Sequence, residues 1–296
     1  MPAIYFTTST TEWTSGAYQA WDVLFWRVIL TAYFAKPADG SVWITGASSG
    51  IGRALALKLA GEGYTVYATA RGESALIELE QASQGLDGKI IAAPGDVTDT
   101  SVMAEIARRV DADGPGLALA VFNAGIYLPV YGETLQVADF DKSFAVNLSG
   151  VVNCLVPAVE RMKARGRGQL AIVSSVTGYG GMPTSAAYGA TKAALINMAE
   201  SLKFDLDKFG VRIQVINPGF VDTPATVDNA FTMPALLQPE DAARRIGEGL
   251  KSGSFEITFP RRFTYVLKLL RLLPYPAYFA LMNAATGWKK RPPQTG

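Results

Sequence analysis

The sequence predicts an α/β fold: a doubly wound parallel sheet of about seven strands with helices on both faces. Three observations carry that expectation. From Val42 onward, short β-branched runs alternate with longer helical patterns. Several of the runs are apolar on both faces, as strands covered by two helical layers must be. Glycines stand at the ends of the helical segments. Strand–helix alternation of this kind places ligands beyond the carboxyl ends of the strands.

The strands are expected in order at VWIT (42–45), TVYATA (65–70), KIIAAPGD (89–96), LALAVFNA (117–124), QLAIVSS (169–175), VRIQVINP (211–218) and FEITFP (255–260). GIGRALALKLAGEG (50–63) and SAAYGATKAALINMAESLKFDLDKFG (185–210) have helical periodicity. Residues 41–260 thus form the predicted domain, with an extension at 1–40 and a tail at 261–296. The apolar run AYQAWDVLFWRVILTAYFA (17–35) contains Asp22 and Arg27, which makes it a poor bilayer span. It lacks the marks of a secretory signal. An extra helix packed on the domain or a dimer partner, membrane contact, and an upstream start-codon error all remain open for it. In the tail, Thr264, Lys268 and Arg271 share one helical face, and Phe263, Val266, Leu267 and Leu270 share another. Pro274 and Pro276 then break the helix and start a second. A basic amphipathic helix with aromatics suits a membrane surface. A cover over the substrate pocket or a subunit interface, with solvated lysines, is the alternative.

Composition narrows the chemistry. The 296 residues are 49% hydrophobic, enough for a sizeable core, and the net charge of +1 argues against nucleic acid as a partner. Residues 251–296 hold eight Lys/Arg against Glu256 alone, so the tail is +7 and the remainder −6. There is no histidine, which excludes Ser-His-Asp and Cys-His mechanisms and His-ligated metal. Cys154 is the only cysteine, which excludes an intrachain disulfide and a thiolate zinc site. No metal site is expected, and a reducing, cytoplasmic setting fits. Acid–base work falls to Tyr, Lys, Asp or Glu.

The first strand runs into TGASSGIG (45–52). Gly46, Gly50 and Gly52 allow a tight turn and a close backbone approach to a pyrophosphate, and the helix that follows offers free N–H groups and a positive dipole end. The second strand ends TVYATARG, with Ala70 where an NAD site usually places a carboxylate, then Arg71. A guanidinium can bind a 2′-phosphate that a carboxylate would repel, so NADP(H) is favoured and NAD(H) stays open. In AAYGATKAAL (186–195), Tyr188 and Lys192 are four residues apart and share a helical face. That spacing alone arises by chance in about one of every two such proteins. A positive charge about 4 Å from the phenol at an effective dielectric of about 20 supplies the roughly 4 kcal/mol needed to bring its pKa from about 10 to near 7. Tyr188 could then act as acid or base.

TGASSGIG, NAG at 123–125, the Ser175…Tyr188…Lys192 spacing and PGFVDT at 218–223 together resemble the short-chain dehydrogenase/reductase family over about residues 42–260. The resemblance implies a single Rossmann domain in which Gly46, Ser48, Ser49, Gly50, Ile51 and Gly52 hold the dinucleotide. It implies further that Asp96, with Val97 beside it, bonds the adenine, and that Asn123, Ala124 and Gly125 line the adenosine side. Pro218 and Gly219 lead into Val221 and Thr223, which would embrace the nicotinamide carboxamide. Asn147, Ser175, Tyr188 and Lys192 would be catalytic: Ser175 bonding the substrate oxygen, Lys192 also holding the nicotinamide ribose, and Asn147 positioning a relay water. The family often has two asparagines before Ala-Gly, where this chain has Phe122-Asn123, a packing variation at a strand end. The function expected is NADP(H)-dependent interconversion of a carbonyl and an alcohol on an apolar, lipid-like substrate, suggested by DNAFTMPALL (228–237) and the tail. The alternative is a non-catalytic cofactor-sensing or membrane-surface protein. By analogy the chain is a homodimer or homotetramer, cytoplasmic, with peripheral contact of 261–296 on the inner face of a membrane.

Overall fold

A computed structural model of the chain describes residues 33–224, 226 and 233–293. Most of the 17–35 run and positions 228–232 of the DNAFTMPALL segment lie outside the described residues. The seven strands are β1 (Ser41–Thr45), β2 (Thr65–Thr69), β3 (Lys89–Ala92), β4 (Leu117–Phe122), β5 (Gly168–Val173), β6 (Val211–Pro218) and β7 (Glu256–Phe259). They pair in parallel in the order β3-β2-β1-β4-β5-β6-β7. This is the expected doubly wound sheet. β3 is shorter than its sequence pattern because Pro94 has no N–H to donate to the ladder.

The helices are α1 (Gly50–Gly61), α2 (Glu73–Ala82), α3 (Thr100–Asp111), α4 (Val137–Phe144), α5 (Gly150–Arg165), α6 (Ala186–Leu206), α7 (Pro239–Leu250), α8 (Arg261–Arg271) and α9 (Tyr275–Thr286). Successive strand residues point to opposite faces. Val42 and Ile44 therefore join one core with Leu55 and Leu59 of α1, Leu76 of α2 and Ile246 of α7. Trp43 joins the other with Met103 of α3, Leu155 of α5 and Leu195 of α6. Each such side chain contributes roughly 1.5–3 kcal/mol by burial. Phe122 is fully buried, edge-on to Trp43 at 5.9 Å, consistent with the packing variation expected there. The continuous stretch Val137–Arg165 is long and apolar enough to cross a membrane by length and composition, yet α5 packs its buried residues on the sheet. Between α4 and α5 lies one π-helical segment, Ala145–Ser149.

The order 3-2-1-4 puts the topological switch point between β1 and β4, where crossovers leave in opposite directions and a crevice opens. The turns after β1, β4, β5 and β6 all end there.

The tail differs from its sequence reading. Pro274 and Pro276 separate α8 from α9 as expected. Two members of the polar face of α8, however, turn inward while Arg271 stays exposed: Thr264 is fully buried and Lys268 pairs with Glu256 of β7. Val266, grouped with the apolar face, is half exposed. Helical periodicity shows two faces but not which one finds a buried partner, and here the half-buried Glu256 carboxylate decides.

Candidate active site

The turn after β1 is built on close approach. Gly46 has φ +67° and Gly50 φ +52°, conformations that favour glycine. A Cβ on Gly52 would lie 2.2 Å from the Gly46 carbonyl oxygen, so no side chain fits there. Ser49 is in extended conformation before α1, with no side-chain cap on the helix N-terminus. Ser48 is partly buried, Ser49 is exposed and Ile51 packs partly against the core. From the neighbouring strand, Asn123 Nδ2 donates to the Thr45 and Gly46 carbonyls at 3.2 and 3.0 Å. The Asn123 and Ala124 amides both donate to Thr45 Oγ1 at 3.1 Å. A Cβ on Gly50 would meet Thr223 Cγ2 at 2.8 Å, which brings the loop after β6 against this turn. These residues fit a dinucleotide: an uncapped helix N-terminus offers amides to a pyrophosphate, and the glycines permit the tight turn that presents them.

Gly125 lies between Asn147 and Lys192; a Cβ there would be 3.3 Å from Asn147 Oδ1 and 3.6 Å from Lys192 Nζ. Ser175 follows β5, and Tyr188 and Lys192 stand on α6 one turn apart. Lys192 Nζ is buried, donates to the Val173 carbonyl at 2.8 Å and lies 5.3 Å from the Tyr188 ring centroid. Thus Ser175, Tyr188, Lys192, Asn147 and Gly125 gather beyond the ends of β4 and β5, beside the glycine turn.

The family profile described as short chain dehydrogenase matches residues 41–232. The chain belongs to the short-chain dehydrogenase/reductase family. It is 36% identical over 237 residues to an uncharacterized oxidoreductase of Myxococcus xanthus, covering 80% of this chain and 94% of that one. A 3-oxoacyl-(acyl-carrier-protein) reductase, FabG, of Thermotoga maritima is 35% identical over 183 residues, 62% of this chain and 74% of its own. The solved structure of ElxO with NADP bound is similar at a TM-score of 0.67 and 26% identity, covering 74% of this chain and 97% of that one. This short-chain dehydrogenase/reductase is therefore an NAD(P)-dependent oxidoreductase.

Electrostatics at the site differ from the sequence expectation. Burial pushes the Tyr188 phenol up to about 12; Ser175 hydrogen bonding pulls it down and Tyr127 adds to the rise. Burial pushes the Lys192 ammonium down to about 8. Within the protein alone, then, Lys192 does not bring Tyr188 near 7. Its nitrogen donates to the Val173 carbonyl and lies 5.3 Å from the Tyr188 ring centroid.

The remaining expected residues are dispersed around this centre. Asn147 is fully buried in the π-helical segment, an insertion type that often marks functional sites. Its amide is engaged with the Ile126 backbone, accepting from the N–H at 2.8 Å and donating to the carbonyl at 2.9 Å. It clamps the loop after β4. Arg71 is exposed just past β2 and makes no ion pair among the described residues. Asp96 Oδ1 accepts from the Thr98 amide and hydroxyl, both at 2.9 Å. Val97 is buried against Gly150, its carbonyl held by Asn153 at 2.9 Å. Pro218 ends β6, Gly219 packs under Phe263 of α8, and Val221 is buried and bridged to Leu237.

Two residues escaped the sequence reading. Tyr127 packs edge-on to the Tyr188 ring at 5.3 Å, and its hydroxyl is 2.5 Å from Thr184 Oγ1. Thr184 has φ 59°, rare for a β-branched residue, one position before the Ser185 cap of α6. The signal in sequence was Tyr127's position two residues past Gly125.

The Lys192 shift fixes a stability prediction. Between about 8 and 10.5 the unfolded chain binds this proton and the folded chain does not, so stability rises with pH across that window. Below it the full cost of the buried charge, about 3 kcal/mol, is present. Lys192→Met is expected to stabilise the fold by about 2–3 kcal/mol at neutral pH, with the gain vanishing by about pH 10.5. Urea unfolding at the two pH values checks it; an equal gain at both would refute the buried-charge account.

Proposed function

We propose that the chain is an NADP(H)-dependent carbonyl reductase acting on an apolar, lipid-like substrate, with Tyr188 as the general acid/base. The observation that carries this reading is the convergence of Ser175, Tyr188 and Lys192 beside an uncapped, glycine-built helix N-terminus. When bound, the dinucleotide supplies or accepts the hydride. Gly46, Ser48, Ser49, Gly50, Ile51 and Gly52 hold its pyrophosphate, and Asp96, Val97, Asn123, Ala124 and Gly125 line its adenosine side. Pro218, Gly219, Val221 and Thr223 hold the carboxamide. Arg71, exposed and unpaired among the described residues, takes the 2′-phosphate.

Toward a carbonyl, Tyr188 gives its hydroxyl proton to the oxygen as negative charge develops there, and toward an alcohol it takes the proton back. Ser175 donates a hydrogen bond to the same oxygen. Lys192 lends positive charge beside the phenol as the phenolate forms. With its phenol raised by burial, Tyr188 is protonated throughout the neutral range, the state that proton donation to a carbonyl requires. Asn147 holds the loop that carries Gly125. The apolar substrate is supported by the aromatic rings at the site, Tyr127 on Tyr188 and Phe263 on Phe220. We take the setting to be cytoplasmic and the chain to self-associate through α5 and α6, where Val156 and Phe204 are exposed.

Tyr188→Phe is expected to lower reductase turnover about a hundredfold or more, with NADPH binding retained. Steady-state rates on a panel of ketones and aldehydes, with cofactor fluorescence titration, check it, and near-wild-type turnover would sink the assignment. For the cofactor, Arg71→Glu replaces a charged hydrogen bond with repulsion. It is expected to shift the NADPH/NADH preference at least about tenfold toward NADH. An unchanged ratio of the two KM values would remove Arg71 from the 2′-phosphate site.

A further inference from the structure

The two tail helices carry a surface that the reductase reading does not use. α8 and α9 turn Tyr265, Val266, Leu269, Leu272, Tyr275 and Phe279 outward, each at least half exposed; Leu269 is 65% and Leu272 80% exposed. On α8, Arg261 and Arg262 stand one turn before Tyr265 and Val266, and Arg271 lies over Tyr275, while Lys289 and Lys290 follow α9; none of the five forms an ion pair among the described residues. Neither helix contains a carboxylate, and the one acid of residues 251–296, Glu256, is consumed by Lys268. An exposed apolar band of this size, rimmed by unpaired cations, marks an interaction surface.

Charge decides the occupant. A second copy meeting this face across a two-fold axis would set the same cations against each other. The exposed apolar residues on α5 and α6 differ, because the lysines nearby are neutralised: Lys203 pairs with Asp207 and Lys208 with Asp205. An apolar and aromatic band with basic residues at its edge fits an anionic bilayer, where the hydrophobic side chains enter the interface and the cations meet headgroups.

The face is also fastened to the rim of the site. Tyr278 donates to the Gly181 carbonyl at 2.8 Å, in the loop before α6. Trp288 stacks on Tyr131 at 6.2 Å, and Arg291 pairs with Glu133 at 2.7 Å, in the loop after β4. Phe263 packs on Phe220 after β6 at 5.7 Å. We infer that α8 and α9 dock this protein on anionic membrane surfaces and hold the loops around Tyr188 next to the lipid; the second half of that statement rests on the carbonyl-reductase reading.

The test is co-sedimentation of the full chain with vesicles of phosphatidylcholine alone and of phosphatidylcholine with phosphatidylglycerol. Binding is expected only to the anionic vesicles and is expected to fall with salt. The double variant L269E/L272E should bind at least about tenfold more weakly, and R261E/R262E about fivefold more weakly per charge removed. Both alter exposed side chains, so the thermal midpoint should stay at the wild-type value. Turnover of short, water-soluble carbonyls by L269E/L272E should match wild type, so that loss of vesicle binding separates from loss of catalysis. If no carbonyl is turned over by any form, the reductase reading fails and the vesicle result still stands. Equal binding to neutral vesicles, unchanged binding of both variants, or a change in oligomeric state of L269E/L272E without vesicles would each overturn the proposal.

Discussion

The site depends on how closely the ends of β1 and β4 approach one another. Asn123 Nδ2 reaches 3.0 Å from the Gly46 carbonyl, and a Cβ on Gly52 would stand 2.6 Å from that same nitrogen. Thr45 Oγ1 accepts two more amides from the β4 end. Four hydrogen bonds thus close the switch point from below, each contributing about 1 kcal/mol net and costing more if left unmade in a buried setting. This clasp fixes the turn that leads into α1. It also fixes Gly125, between Asn147 and Lys192. A ligand bound at one end of the crevice is therefore held in register with Tyr188 at the other.

The second half of the site is costly to fold. Tyr188 and Lys192 are both shifted toward their neutral forms by burial. Among the described residues no carboxylate pairs with Lys192, whose nitrogen donates to the Val173 carbonyl. A buried unpaired ammonium persists only where the surrounding structure imposes it. Here the imposing structure is α6 itself, 21 residues anchored by Leu195, Ala199 and Leu206 in the core. Thr184 at φ 59° adds local backbone strain at the same place. Strain and desolvation concentrated at one helix start are what a site under functional constraint is expected to carry.

Most of the fold was legible in sequence because it follows from periodicity. All seven strands lie at the expected runs, and the glycine turn and the Tyr188–Lys192 helix fall where their patterns put them. Legibility failed where a partner distant in sequence decides the outcome. Tyr127 meets Tyr188 across 61 positions of chain, and no local pattern encodes that contact. Asn147 stands in a π-helical segment and bonds the Ile126 backbone, a contact that no local pattern in the sequence encodes. The expected depression of Tyr188 assumed that sharing a helical face brings the ammonium to the hydroxyl. Val173, on a different element, binds that nitrogen, and burial raises the phenol.

The tail shows the same logic with a consequence for the whole sheet. β7 is an edge strand, and an open edge invites pairing with other chains. Glu256 sits in β7, where burial raises its carboxyl and bonds from Lys268, Tyr179 and Asn217 more than offset that, holding it below the ordinary range. Tyr179 and Asn217 donate to it at 2.5 and 2.7 Å. A carboxylate so placed selects the face of α8 that carries Lys268, since a buried charge without a partner costs far more than an exposed leucine. Once Lys268 and Thr264 face inward, helical geometry leaves Val266, Leu269 and Leu272 no direction but outward. The outward apolar band is thus a consequence of satisfying one buried acid at the sheet edge, and the same contact ties the tail to Tyr179, four residues past Ser175.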